Sequence, residues 1–360
     1  MAQLRSYLAW PGAPLAIASA ALFGASTPLA KALLGGGVSP WLLAGLLYLG
    51  SGLALAVLHY GRRLAGRPTA EASLTRKDWG WMSLVVLAGG VSGPVLLMLG
   101  LATTPASSTA LLLNLEGLAT MAIAWLVFRE NVDGRLLLGA GAILAGALLL
   151  SWQGGSGFSG AGVGALFIAG ACLAWGIDNN LTRKVSASDP VQIAMIKGLV
   201  AGAVNLGIAL TAGAHLPAAG LLAGAGVVGF LGYGVSLVLF VLALRHLGTA
   251  RTGAYFSTAP FIGALLAVAM FAEPVTWRLV VAAGLMAIGL YLHLAERHEH
   301  EHEHEPLEHE HPHVHDEHHQ HQHAADDPSG EPHAHRHRHA RMVHKHPHYP
   351  DMHHRHDHAH

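Results

Sequence analysis

The 360-residue chain reads as an all-α integral membrane protein of ten transmembrane helices, built as two inverted five-helix repeats and followed by a disordered His-rich tail. Three observations lead there. Apolar residues run almost unbroken through positions 1–297, an offset of 143 residues superimposes parts of the two halves of that stretch, and 24 of the 28 histidines lie after position 297. The boundaries that follow are 1–152 for the first repeat, 153–297 for the second and 298–360 for the tail.

The body carries only 16 Lys/Arg and 9 Asp/Glu, whereas the tail carries 5 and 13. A water-facing domain of this length needs far more polar cover, which excludes an ordinary soluble fold. Cys172 is the single cysteine, so no internal disulfide is available. Only Arg5 precedes the first apolar run, and that run is long enough to span rather than to be a cleaved signal. There is no glycine loop leading into a Lys-Ser/Thr pair and no nucleophile with a base at fixed spacing, so no enzyme and no required cofactor are expected.

A helix needs roughly 20 apolar residues to cross a hydrocarbon core of about 30 Å. Ten stretches meet this: 12–34, 40–60, 79–101, 106–128, 134–152, 161–183, 190–212, 218–244, 250–272 and 275–295. The turns between them are short, among them "TTPA", "RENVDG", "RHLGTA" and "EPVT". With the N-terminus inside, thirteen Lys and Arg from Arg5 to Arg297 fall on the inner side and only Lys31 and Arg278 on the outer. That bias orients the chain, and an even number of spans places the tail in the cytoplasm.

The offset of 143 residues aligns "STALLLNLEGLATMAIAWLVFRENVDGRLLLGAGAILAGALLL" with "RTGAYFSTAPFIGALLAVAMFAEPVTWRLVVAAGLMAIGLYLH" without a gap. Glu130 meets Glu273, Arg135 meets Arg278, and Gly141 and Gly146 meet Gly284 and Gly289. "ALFGASTPLAK" pairs likewise with "LAWGIDNNLTR". Five spans per copy is an odd number, so the copies lie in opposite orientations, as in carriers that open one central site alternately to either side.

These motifs resemble the drug/metabolite transporter superfamily in its EamA branch. The resemblance covers residues 12–295 and rests on "FRE" and "FAE" at the ends of two helices, the Gly-rich helices after them, and "LFGASTPLAK" in the first span. It implies ten helices, both termini inside, and a central cavity lined by the first four helices of each half. It also implies export of amino acids, metabolites or toxic compounds, or import of small solutes. One position departs from the pattern: Gly117 stands where the second copy has Pro260.

Charged groups at membrane depth cost about 2.5–3.5 kcal/mol or more, so they face protein or water. Glu116, midway along the fourth span, is a candidate for proton coupling or for binding a cationic group; a carboxylate hydrogen-bonded between helices is the structural alternative. Asp178, Asn179 and Asn180 are consecutive near the end of the sixth span and sweep some 200° of a helix, so at least one faces the bundle. Lys197, two turns into the seventh span, is placed to oppose Glu116 or Asp178. Trp175, Tyr233, Tyr255 and Phe256 are aromatic candidates for stacking on a solute, although in a helical bundle such residues more often simply pack. Glu130 and Glu273 read as structural groups at helix ends. Pro28, Pro94 and Pro260 are expected to kink their helices and free backbone carbonyls.

The tail opens "HEHEHEHE". Neutral imidazole is a ligand for zinc, nickel, cobalt and copper, and carboxylates complete sites. His298, His300, His302, His304, His309, His311, His313, His315, His318, His319, His321 and His323 are the predicted metal ligands, in many exchanging sites rather than one geometry. With almost nothing apolar to bury, the tail is expected to be disordered. A flexible chain of its 63 residues has an r.m.s. span of about 45 Å.

The function expected is secondary transport across the bacterial inner membrane: a proton-coupled exporter of small organic metabolites or toxic compounds, with a metal-binding tail that buffers or regulates. The alternatives are a divalent transition-metal transporter loaded by the tail, and a membrane-anchored metal buffer or sensor. The partners expected are the lipid bilayer, a small-molecule substrate, divalent metal ions and a second copy in a homodimer, with no nucleic acid.

Overall fold

The computed structural model describes residues 12–66, 74–128, 134–152, 161–182, 185 and 189–294, and in the tail 298–304, 308–313, 333–338 and 342–348. The body, 12–61 and 74–294 among these, is one compact helical unit; Arg62–Ser73 and Glu296–His360 form a second unit.

In the body, α1 (Gly12–Gly35) is followed by α2 (Pro40–Leu64) and α3 (Asp78–Val85). A π-helical turn at Val86–Ser92 runs into α4 (Gly93–Thr103), and α5 (Ala106–Leu112), α6 (Leu115–Phe128) and α7 (Gly134–Ser151) complete the first half. The second half holds α8 (Ala161–Thr182), α9 (Pro190–Thr211) and α10 (Ala219–Gly229), then a second π-helical turn at Phe230–Val235. It ends with α11 (Ser236–Phe256), α12 (Ala259–Phe271) and α13 (Trp277–Leu294). Local chemistry sets the boundaries. Gly37, at φ 90, closes α1 in the left-handed conformation that glycine tolerates. Ser39 and Asp189 stand just before Pro40 and Pro190, and their side chains accept from the N–H groups of Leu42 and Val191, at 3.3 and 2.8 Å.

Among the described residues, nine helical segments are long and apolar enough to cross a membrane, and Ala259–Phe271 is a shorter apolar helix. The chain is therefore a multi-pass membrane protein, but the predicted ninth span begins elsewhere than expected. "RHLGTA" is not a turn: α11 runs through it and the helix breaks at Ser257–Thr258, ahead of Pro260. The segment before Ser257 contains no proline, and two glycines alone do not end a helix, whereas Pro260 fits the first turn of α12. The fourth span is also discontinuous, broken at Leu113–Asn114 between α5 and α6. The 143-residue offset that aligns the sequences also relates Gly89 to Gly232 in the two π-turns and Asn114 to Ser257 at the two breaks.

Small residues let the helices approach closely. A Cβ on Gly198 or Gly52 would meet the other helix's backbone where α2 crosses α9, and Gly139, Gly146 and Gly289 do the same where α7 crosses α13. Gly24 and Gly263 form the corresponding contact between α1 and α12. Between these crossings a core of Leu, Ala, Met and Val is buried, with Leu43, Leu55, Leu101 and Met286 fully so.

The tail's described segments are extended: β1 (His298–His304) pairs antiparallel with β4 (Met342–His348), and β2 (Glu308–His313) with β3 (His333–Arg338). The register sets His300 opposite His346 and His311 opposite His335, and acid opposite base at Glu301–Lys345 and Glu310–Arg336.

Candidate functional site

The π-turn at Val86–Ser92 organises the centre of the body. The Gly93 N–H bonds back five residues to Ala88, and the next residue, Pro94, has no N–H, so the Gly89 carbonyl is left without a partner in its own helix. Two side chains supply that partner: the Trp175 indole N–H and the Tyr48 hydroxyl both donate to it at 3.0 Å. The neighbouring Gly90 carbonyl accepts from the buried Asn205 amide at 3.2 Å. Neither Gly89 nor Gly90 has room for a side chain, since Asp178 lies directly over the first and Ala201 over the second.

Asp178, on α8, is paired with the Lys197 ammonium on α9 and accepts from Thr182 at 3.3 Å. Of the two partners offered to Lys197 by the sequence, the structure thus gives contact to Asp178. Glu116 lies in the first turn of α6, just past the break in its span. Its Oε1 accepts from the Asn179 amide at 3.1 Å, and that amide also reaches the Thr120 hydroxyl at 3.2 Å. Lys197 is within electrostatic range of Glu116, yet its contact is with Asp178. Asn180 is buried and donates to the carbonyls of Thr120 and Gly176, at 3.1 and 2.8 Å, where Gly176 packs on Ala119. The three consecutive polar residues therefore have three separate tasks: Asp178 and Asn180 are buried against neighbouring helices, and the exposed Asn179 reaches across to α6.

Tyr233, in the second π-turn, stacks at a tilt on Tyr48 (centroids 5.6 Å apart) and edge-on against Phe23 (5.8 Å). Phe256 continues the row from Phe23 at 5.3 Å and touches Phe240. Tyr255 stands one residue earlier, half-buried, and its carbonyl accepts the Thr258 N–H. Sequence reasoning missed Tyr48, Phe23, Thr120 and Asn205. None is charged, and only the paired carbonyls of a proline-broken helix hint that donors must converge there.

Glu273 has the structural role expected of it. Its carboxylate accepts from the Ala106 N–H at 2.7 Å and from both the backbone N–H and hydroxyl of Ser107, capping α5. Lys31 closes the preceding helix end by donating to the carbonyls of Leu101, Ala102 and Thr104. Glu130 lies outside the described residues, as do His315, His318, His319, His321 and His323. His298, His300, His302 and His304 are in β1, and His309, His311 and His313 in β2. Among the described residues of the body, no group of three or more His, Cys, Asp or Glu side chains converges.

A membrane-embedded helical body holding an ion pair, a second carboxylate and a row of aromatic rings at span depth is the architecture of a solute carrier rather than of a simple anchor. The EamA-like transporter family model matches residues 10–152 and 162–295, and the chain belongs to that family. It is 28% identical over 291 residues to an uncharacterized transporter of Methanothermobacter thermautotrophicus, covering 77% of this chain and 84% of the relative. A solved structure described only as "Crystal structure of protein" has the same fold: TM-score 0.59 at 18% identity, covering 79% of this chain and 96% of the other.

Proposed function

We propose that this transporter is a proton-coupled secondary carrier of the bacterial inner membrane, exporting small organic metabolites or toxic compounds, with Glu116 as the coupling carboxylate. The supporting observation is its environment. Glu116 sits mid-span and is held by an amide, while the nearby ammonium is committed to Asp178. A carboxylate so placed can exchange its proton with a solute without dismantling an ion pair. The carrier has ten spans in two inverted five-helix units, the fourth span of each unit being the one interrupted near Asn114 and Ser257. The positive residues put both termini in the cytoplasm. The tail binds zinc, nickel, cobalt or copper at the inner mouth and acts as a buffer or regulator.

The tail's histidines favour a second reading, in which a divalent metal is the cargo and the tail loads it. A tolerance screen of deletion and overexpression strains across amino acids, drugs and metals identifies the cargo. Uptake of that compound into inverted vesicles is then followed under an imposed pH gradient. Wild-type protein is expected to load the vesicles and Glu116→Gln to do so at least about tenfold more slowly, a range general for lost acid–base function, while still inserting. Normal transport by Glu116→Gln between about pH 5 and 8 would make the carboxylate structural and remove the coupling assignment.

A further inference from the structure

We infer that the tail holds two all-imidazole sites for a late transition-metal ion such as zinc, one in each antiparallel ribbon, and that each site draws its ligands from both strands of its ribbon. This rests on the reading of the tail as a metal binder and gives that reading a geometry. The register carries it. In the first ribbon His298 stands opposite His348, His300 opposite His346 and His302 opposite His344. In the second, His309 stands opposite His337, His311 opposite His335 and His313 opposite His333. Residues two apart on a strand share a face, so each ribbon carries three histidine rungs on one face. A slip of one residue in either ribbon would set histidine against glutamate instead. Half of these ligands, from His333 to His348, lie beyond the stretch in which the sequence alone suggests them.

The spacing suits a single ion. Directly opposed Cα atoms of an antiparallel pair lie about 4.5–5.5 Å apart, and the next rung on the same face is about 6.5–7 Å along the strand. Two adjacent rungs therefore set four imidazoles around one patch, the number that zinc takes at metal–nitrogen distances of about 2.0–2.1 Å. The middle rungs, His300–His346 and His311–His335, belong to either choice of two adjacent rungs and so anchor each site. Carboxylates are left out of the ligand set. Glu alternates with His and shares the other face, where Glu301, Glu308 and Glu310 stand opposite Lys345, Arg338 and Arg336. A site of neutral nitrogen donors selects zinc, nickel or copper over magnesium and calcium, which take oxygen. The ion also answers a structural need. A two-stranded ribbon is marginal in water by itself, and apart from proline the four strands contain only Met342, Val343 and Ala334 as apolar residues. An ion joining the two strands couples its binding to the closing of the ribbon.

The test uses full-length protein in detergent at about pH 7.5, where imidazole is neutral, dialysed against zinc buffered by a competing chelator. Bound metal is counted by mass spectrometry, with the protein truncated after Arg297 as the blank. Wild type is expected to retain two tightly held ions above the blank. The decisive comparison is between two double variants that remove the same number of histidines. His300→Ala with His346→Ala empties the middle rung of one ribbon, so one tight ion is lost and the other stays. His300→Ala with His335→Ala strikes the middle rung of both ribbons, so both ions are weakened at least about tenfold, the low end of what losing even an outer-shell partner costs a metal site. His319→Ala with His321→Ala, outside the four strands, should retain both ions. Glu299→Gln with Glu303→Gln, opposite Pro347 and Val343, should change the affinity by less than about threefold. Equal losses in the first two variants, or as large a loss in the His319 and His321 variant, would overturn the paired sites in favour of a pool of exchanging ligands. A tenfold loss in the glutamate variant would overturn the all-imidazole ligand set. In those cases zinc bound above the blank leaves the tail standing as a metal binder; no zinc above the blank would defeat both readings.

Discussion

Separating Asp178 from Lys197 is the perturbation whose size the structure sets most directly. The pair lies between α8 and α9 with side-chain exposures of 5% for Asp178 and 20% for Lys197. Removing one partner of a buried ion pair costs about 3–5 kcal/mol, because the other charge is left without compensation. For Asp178→Asn the low end applies, about 3 kcal/mol, since Lys197 keeps some exposure and lies in range of Glu116. Lys197→Met strands a carboxylate that is almost fully buried, with the Thr182 hydroxyl at 3.3 Å as a remaining donor; the high end, about 4–5 kcal/mol, applies there. The double variant removes both charges and should return to within about 1–2 kcal/mol of wild type. Thermal unfolding of the four detergent-purified proteins reads this out as a cycle. The midpoint should fall by roughly 4–5 °C for Asp178→Asn, with further loss for Lys197→Met and most of it recovered in the double variant. Additive single effects, or losses below about 1 kcal/mol in both singles, would refute the claim that the contact neutralises the two groups.

Three further measurements test the α5 cap and the tail. Glu273→Gln keeps the shape of the α5 cap but loses its charge, so stability should fall by about 1–2 kcal/mol; a melting curve identical to wild type would show that the cap contributes nothing. A protein truncated after Arg297 should insert, place a C-terminal reporter in the cytoplasm and still transport, while responding less to added zinc, nickel or copper. The isolated 298–360 peptide should bind several of these ions at about pH 7.5 and release most near pH 5, as protons take the imidazole nitrogens. Loss of all transport with intact insertion would mean that the tail delivers the cargo, and the metal-carrier reading would then prevail.

Much of the fold is legible in the chain because lipid imposes a one-dimensional rule: long apolar runs, short polar turns, flanking basic residues. Charges inside such runs announce themselves, which is why Glu116, Asp178 and Lys197 are visible as candidates. Other features are hidden for physical reasons. Tyr48 looks like any aromatic of an apolar helix until the orphaned Gly89 carbonyl places a hydrogen-bond acceptor in front of it, 41 residues away in sequence. "RHLGTA" has the polarity of a turn, yet a helix tolerates it because its own backbone hydrogen bonds are kept and no proline interrupts them. In the tail, the acid-against-base register appears only when two distant segments are set side by side.

By itself the sequence determines that this is a multi-pass membrane protein of duplicated plan with a few ionisable groups inside and a histidine-rich end, because hydropathy and internal likeness need no third dimension. Which of those groups is left without a counter-charge is decided only in the tertiary structure. Asp178 sits over Gly89, where no side chain competes for the space, and the Lys197 stem packs beside Gly90, so the ammonium meets Asp178 and Glu116 is left to the Asn179 amide. The close contacts that glycine permits set how each helix is rotated, and Coulomb attraction between charges a few ångströms apart depends steeply on that rotation.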